Sequence, residues 1–67
     1  MNPPPKFTEL MRVLVMFPSE EAGSAAGYVL RSEWQIDQWV YEISFEDPER
    51  PGGSYDNWAP ECWLTAV

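Results

Sequence analysis

The pattern of apolar and polar positions is clearest over residues 39–46. Large apolar side chains occupy every second position there, and a mostly polar set occupies the positions between them: Trp39, Tyr41, Ile43 and Phe45. A period of two places successive side chains on opposite faces of a strand. The segment is therefore predicted to be an antiparallel strand with one buried face.

Two earlier segments also favour strands. Residues 7–17 are rich in valine over their later half and end at Pro18, although helical spacing of the first residues leaves a short leading turn open. Residues 28–34 follow Gly27 and are good strand formers. Residues 19–26 are predicted to be a loop, with a helical turn of small residues as the alternative. A turn around Asp37 is predicted at residues 35–38.

Turn-forming residues separate the third strand from the end of the chain. Residues 47–54 contain Pro48, Pro51, Gly52 and Gly53, which predicts a loop. The three prolines at positions 3–5 favour an extended backbone, so residues 1–6 are predicted to form a flexible proline-rich tail and residues 7–67 a single domain.

The order of these segments resembles that of an SH3-like small barrel. The resemblance rests on residues 27–29, the strand at 39–45 and the terminal stretch 58–67. In that fold an aromatic residue on the fourth strand precedes a proline-containing 3₁₀ turn, a buried aliphatic residue and the last strand. The resemblance implies an all-β, five-stranded barrel with the 3₁₀ turn at residues 60–63 and Leu64 as the buried anchor.

Two activities found in this fold do not transfer to the chain. Peptide-binding SH3 domains open with an aromatic-rich motif, whereas residues 13–18 here read Val-Leu-Val-Met-Phe-Pro. The plasmid-type dihydrofolate reductase carries a Val-Gln-Ile-Tyr strand, and no such tetrapeptide occurs. Neither proline-peptide recognition nor reductase activity is implied.

Length and charge narrow the possible partners. The chain has 67 residues and a formal net charge of −7. A domain of this size buries only about 60% of the surface that its unfolded chain exposes, so additional burial through self-association is favourable. The negative charge disfavours nucleic acid and anionic membrane surfaces. Without a run of about 18 apolar residues or a cleavable leader, neither membrane insertion nor secretion is expected, and a cytoplasmic location is predicted.

The residue inventory also limits the chemistry. The chain has one cysteine and no histidine, which excludes histidine-based triads and histidine metal sites within one chain. Acidic neighbours disfavour the thiolate of Cys62, so nucleophilic catalysis is not expected. We therefore predict a protein that is not an enzyme and that uses no metal and no cofactor.

Alternation along the strands predicts which side chains fill the interior. The expected core is Val13, Val15, Val29, Tyr41, Ile43, Phe45, Leu64 and Val67. Aromatic residues make up 15% of the chain, and four of them are expected on the outer surface: Trp34, Tyr55, Trp58 and Trp63. Exposed indoles are typical of interfaces, and the alternative is that they cap the ends of the barrel.

Carboxylates beside these aromatic rings predict a surface that binds cations. A ring face and a nearby carboxylate together hold an arginine or lysine side chain by cation–π attraction and charge pairing. The predicted partner-binding residues are Trp34, Asp37, Trp39, Glu42, Tyr55, Asp56, Trp58 and Trp63. The alternative is a solvated acidic face that keeps a small protein soluble.

The sequence thus predicts a non-catalytic interaction module. It would bind a basic protein segment or its own copies, and a homo-oligomer is expected. Two alternatives stay open. One is a small oligomeric enzyme with a site at its symmetry axis, lined by residues such as Tyr41 or Trp39. The other is an acidic mimic of nucleic acid that inhibits a DNA-binding protein.

Overall fold

A computed structural model describes residues 2–47 and 49–67. Met1 of the predicted tail and Pro48 of the predicted loop lie outside them. The described residues form one sheet of five antiparallel strands in the order β4-β3-β2-β1-β5. The sheet is open, and its edge strands are β4 and β5. The strands are β1 (Arg12–Met16), β2 (Ser24–Gln35), β3 (Gln38–Glu46), β4 (Ser54–Pro60) and β5 (Leu64–Ala66), with a 3₁₀ turn at Glu61–Trp63. No helix in the described part of the chain is long and apolar enough to cross a membrane.

The predicted strands are confirmed, but β2 is longer than expected. It begins at Ser24, so the predicted loop is wrong over residues 24–26. Ala25 and Ala26 pair with Val15 and Leu14 of β1, and their small side chains suit this close pairing even though their intrinsic strand propensity is low. The 3₁₀ turn before the last strand and the buried Leu64 are both as predicted.

A β-bulge divides β2 into two parts. Val29 is opposite Ile43 of β3, but the next pair is Arg31 with Glu42, which leaves Leu30 as the extra residue. An extra residue reverses which positions of the strand point to a given face. Odd-numbered residues of β2 therefore face the core before the bulge, and even-numbered residues face that side after it.

One side of the sheet carries the core. Its buried members are Phe7, Val13, Val15, Val29, Tyr41, Ile43, Phe45, Ala59 and Leu64. Seven of the eight predicted core residues are among these. The prediction for Val67 is wrong, because β5 ends at Ala66 and leaves the last side chain exposed at the sheet edge.

Glycine is required at position 27 by close packing of β2 on β3. A Cβ atom there would lie 2.6 Å from Ile43 Cγ2 and 2.7 Å from the Ser44 carbonyl oxygen. Those separations are below van der Waals contact, so a larger residue would force the strands apart. Gly27 thus allows the backbone of β2 to lie close to β3 at the centre of the sheet.

Candidate binding site

Two tryptophans form a right-angled corner where β2 turns into β3. Trp34 is opposite Trp39 in the β2–β3 ladder, and their ring centroids are 5.5 Å apart with the planes inclined at 75°. The bulge in β2 places Trp34 on the same side of the sheet as Trp39 and Tyr41. Both indoles are half-buried, and Trp39 also packs against the core. The corner is therefore held rigidly and still has accessible ring surface.

The turn beside this corner is strained. Ile36 has a φ of 57°, and the Asp37 N–H donates to the Gln35 carbonyl oxygen over 2.6 Å. A β-branched residue with positive φ is unfavourable by about 1–2 kcal/mol. The Ile36 side chain is 98% exposed, so no packing within the chain explains its identity. The turn holds Asp37 next to the two indoles and presents an apolar side chain to solvent.

A groove of about 330 Å³ opens at the corner, and we call it the hairpin groove. It is lined by Pro3, Lys6, Trp34, Asp37, Gln38, Trp39, Glu61 and Cys62. Asp37 is exposed at its rim, and Glu61 enters from the 3₁₀ turn. Two carboxylates beside two ring faces are the chemistry that attracts an arginine or lysine side chain.

A buried tyrosine connects Glu61 of the hairpin groove to the core. Tyr41 is fully buried, and its O–H donates to Glu61 Oε2 over 2.6 Å. Its oxygen accepts from the N–H groups of Lys6 at 3.1 Å and Phe7 at 3.4 Å. Burial raises the pKa of the Tyr41 hydroxyl to about 12, and the hydrogen bond to Glu61 adds to the increase. Glu61 is thereby held in position by a neutral donor.

A second aromatic and acidic group lies on the opposite face of the sheet, which we call the outer face. Glu42 is opposite both Arg31 and Trp58 in the ladders. Arg31 Nε lies 3.0 Å from Glu42 Oε1, and the Arg31 guanidinium sits over the Trp58 ring at 5.5 Å from its centroid. An arginine of the chain itself therefore already occupies the cation site at these two predicted residues.

A similar arrangement occurs at the other end of the outer face. The Arg12 guanidinium lies 5.5 Å from the centroid of the Tyr28 ring and donates to its hydroxyl over 3.2 Å. Tyr28 is exposed and is opposite Ser44, whose neighbour on β4 is Asp56. Within residues 2–47 and 49–67, both contacts between an arginine and a ring are thus on the outer face.

The structure distributes the eight predicted site residues over several places. Trp34, Asp37 and Trp39 come together in the hairpin groove, whereas Glu42, Asp56 and Trp58 lie on the outer face. Tyr55 stacks on Phe45 with ring centroids 5.3 Å apart. Trp63 packs edge-on against Phe17 at 6.1 Å and is half-buried. Partner binding by each of them stays a prediction.

Sequence reasoning did not select five of the residues that line the hairpin groove: Pro3, Lys6, Gln38, Glu61 and Cys62. Pro3 and Lys6 belong to the predicted tail, and nothing in the local pattern indicates that they return to β3. Glu61 is separated from Trp39 by most of two strands, so only the fold brings them together. Ile36 was the one signal in the sequence that this turn is unusual, because isoleucine is rare at turn positions.

Comparison with known proteins assigns no family to the chain. It matches no protein-family model, no curated protein and no solved structure. Its function is therefore inferred from the side chains and distances given above.

Proposed function

We propose that the protein is a non-catalytic interaction module whose hairpin groove binds an arginine or lysine side chain on a basic protein segment. The observation that supports this most strongly is the right-angled pair of Trp34 and Trp39 with the carboxylates of Asp37 and Glu61 in the same groove. A guanidinium or ammonium group placed there gains ring contacts and charge pairing together.

The charge of the whole chain favours the same partner. Eleven acidic residues stand against four basic ones. Three of those four are arginines already engaged within the chain: Arg12 with Tyr28, Arg31 with Glu42, and Arg50 with Asp47. The remaining field is negative, so it attracts basic segments and accelerates their encounter with the groove.

The proposal is tested by titrating the protein with a short arginine-containing peptide and with the same peptide carrying citrulline in place of arginine. Citrulline keeps the shape of the side chain and removes its charge. We expect the citrulline peptide to bind at least about tenfold more weakly in calorimetry, because it loses both cation–π and charge-assisted contacts. Equal affinity of the two peptides would contradict the proposal.

The salt dependence of binding separates this proposal from a nucleic-acid mimic. A mimic would spread its contacts over many carboxylates, so added salt would weaken its complex with a DNA-binding protein steeply. A groove that holds one cation against the indole pair should lose only a few-fold in affinity over the same salt range. An oligomeric enzyme would need Tyr41 or Trp39 at a pore, and Tyr41 is fully buried within the chain.

Self-association through the outer face is a second candidate function. Met16, Tyr28 and Trp58 are exposed and lie on that face, which is the aromatic and apolar composition typical of interfaces. A small domain gains buried area by pairing. Sedimentation over a range of concentrations should then show a homo-oligomer, and a single-chain species at the highest concentration would argue against it.

The finer description of the fold is also a proposal. We infer an SH3-like barrel, since the two edge strands β4 and β5 are joined by only the 3₁₀ turn and the core lies on the inner side of the sheet. We infer a cytoplasmic setting because Cys62 is an exposed free thiol, which is typical of reducing compartments.

A further inference from the structure

The N-terminal arm, residues 2–6, lies along the hairpin groove. The Trp39 indole Nε1–H donates to the Pro3 carbonyl oxygen over 2.8 Å. Next to the arm, Phe7 is buried against the Tyr41 ring, with centroids 5.5 Å apart in an edge-on arrangement. The arm is therefore anchored at Phe7 and reaches the indole corner at Pro3.

The composition of the arm suits this position. Three consecutive prolines, Pro3, Pro4 and Pro5, restrict the backbone to an extended form before any contact is made, so little conformational entropy is lost on ordering it. Proline has no N–H group, and its carbonyl oxygen is a good acceptor. An indole N–H is a donor only, so the arm and Trp39 are complementary.

The arm also contributes a basic residue to the lining of the groove. Lys6 lines it together with Asp37 and Glu61. The Lys6 backbone N–H lies 3.4 Å from Glu61 Oε2 and 3.1 Å from the Tyr41 oxygen, so the residue is held close to these groups. The arm thus gives the groove a hydrogen-bond acceptor at Pro3 and a basic residue, Lys6, whose side chain makes no ion pair among the described residues.

We propose that the N-terminal arm is an intramolecular competitor: it forms one wall of the hairpin groove and engages the Trp39 indole N–H, and a basic segment binds more tightly when it takes the place of the arm. The inference rests on the proposed function and adds its regulation. When only a fraction of the molecules is open, the apparent affinity is reduced by that fraction. Anything that draws the arm away, such as a protein that binds the proline run, would raise the affinity of the groove.

The test uses the full chain with Pro3, Pro4 and Pro5 replaced together by glycine, which loosens the arm and leaves every groove side chain after residue 5 unchanged. The matched control is Pro51→Gly in the loop between β3 and β4, away from the groove. The first measurement needs no peptide: hydrogen exchange of the Trp39 indole N–H should become several-fold faster in the arm variant and stay unchanged in the control.

The second measurement is the affinity for the arginine-containing peptide. We expect the arm variant to bind about 3- to 10-fold more tightly than the unaltered chain, and Lys6→Gln to bind about 2- to 3-fold more tightly, because each removes part of the competitor. The Lys6 variant keeps the test valid if the triple glycine variant folds poorly. The Pro51→Gly control should bind like the unaltered chain.

Three results would overturn the inference in distinguishable ways. Unchanged exchange of the Trp39 indole N–H would mean that the arm does not hold it in solution. Faster exchange with equal or weaker peptide affinity would mean that the arm does not compete, while the proposed function stands. If none of the proteins binds the peptide, the proposed function fails, and the competition fails with it.

Discussion

The hairpin groove and the outer face combine the same two kinds of side chain, aromatic rings and carboxylates. They differ in which part of the chain contributes the basic residue. On the outer face Arg31 bridges Glu42 and Trp58, and Arg12 covers Tyr28. In the hairpin groove the Trp34 and Trp39 rings are inclined at 75° with Asp37 beside them, and the basic residue that the chain contributes is Lys6 of the N-terminal arm.

The difference teaches that an aromatic and acidic composition does not by itself identify a binding site. An arginine held within a strand, as Arg31 is in β2, satisfies its neighbours permanently and contributes to the sheet through cross-strand contacts. A lysine on an arm that precedes the first strand can be exchanged for another cation at smaller cost. A binding site is therefore better indicated by contacts that an external partner can replace than by the types of residue present.

The largest predicted effect separates the buried support of the groove from the exposed pair on the outer face. Tyr41→Phe should lower the free energy of unfolding by about 1–3 kcal/mol, because Glu61 and the Lys6 and Phe7 N–H groups lose their buried partner. Glu42→Gln is the comparison on the outer face and should cost less than about 1 kcal/mol, since exposed ion pairs contribute little. Urea denaturation measures both, and equal losses would contradict the contrast.

The raised pKa of Tyr41 predicts that the free energy of unfolding falls at alkaline pH. The Tyr41 hydroxyl has a pKa of about 12 in the folded chain, against 10.0 for an ordinary tyrosine. Between these values the unfolded chain has lost the proton and the folded chain keeps it, so stability present below pH 10 falls as the pH rises to about 12. The loss should be about 3 kcal/mol and should be missing from Tyr41→Phe.

The third prediction compares one indole from each region. Trp34→Leu should weaken binding of the arginine-containing peptide about tenfold, because leucine keeps apolar volume and removes the ring face. Trp58→Leu is the matched change on the outer face and should alter the affinity less than about twofold, since Arg31 already covers that ring. Calorimetric titration measures the affinity of both variants. A larger loss of affinity in Trp58→Leu would indicate that the peptide binds on the outer face.

The smallest effect is expected when the outer face loses its own cation. Arg31→Met keeps much of the aliphatic stem and removes the charge, so it should lower stability by less than about 1 kcal/mol. It also frees Trp58 and Glu42 for an external cation. We expect a second, weaker peptide site to appear in the titration, and an unchanged single site would show that a ring and a carboxylate on a flat sheet are insufficient.

Much of the fold could be predicted from the sequence because it is encoded locally. The alternation at residues 39–46 specifies β3, and the resemblance to an SH3-like barrel implied the 3₁₀ turn at residues 60–63 and its anchor Leu64. The start of β2 could not be predicted, since Ala25 and Ala26 favour a strand only when they pair with β1.

The candidate site was predictable only in part. Asp37 and Trp39 could be selected from the turn and from the strand that follows it. The position of Trp34 depends on the bulge at Leu30, because simple alternation from Val29 would place its ring on the outer face. Glu61, Lys6 and Pro3 enter through tertiary contacts with Tyr41 and Trp39, and such contacts leave no periodic signal.

The most direct test of the central claim is an NMR titration that follows the four indole N–H resonances while the arginine-containing peptide is added. Binding in the hairpin groove predicts that the Trp34 and Trp39 resonances shift together and saturate and that Trp58 stays in place. The citrulline peptide should need at least about tenfold higher concentrations to produce the same shifts. Saturable shifts at Trp58 with Trp34 and Trp39 unmoved would contradict the account.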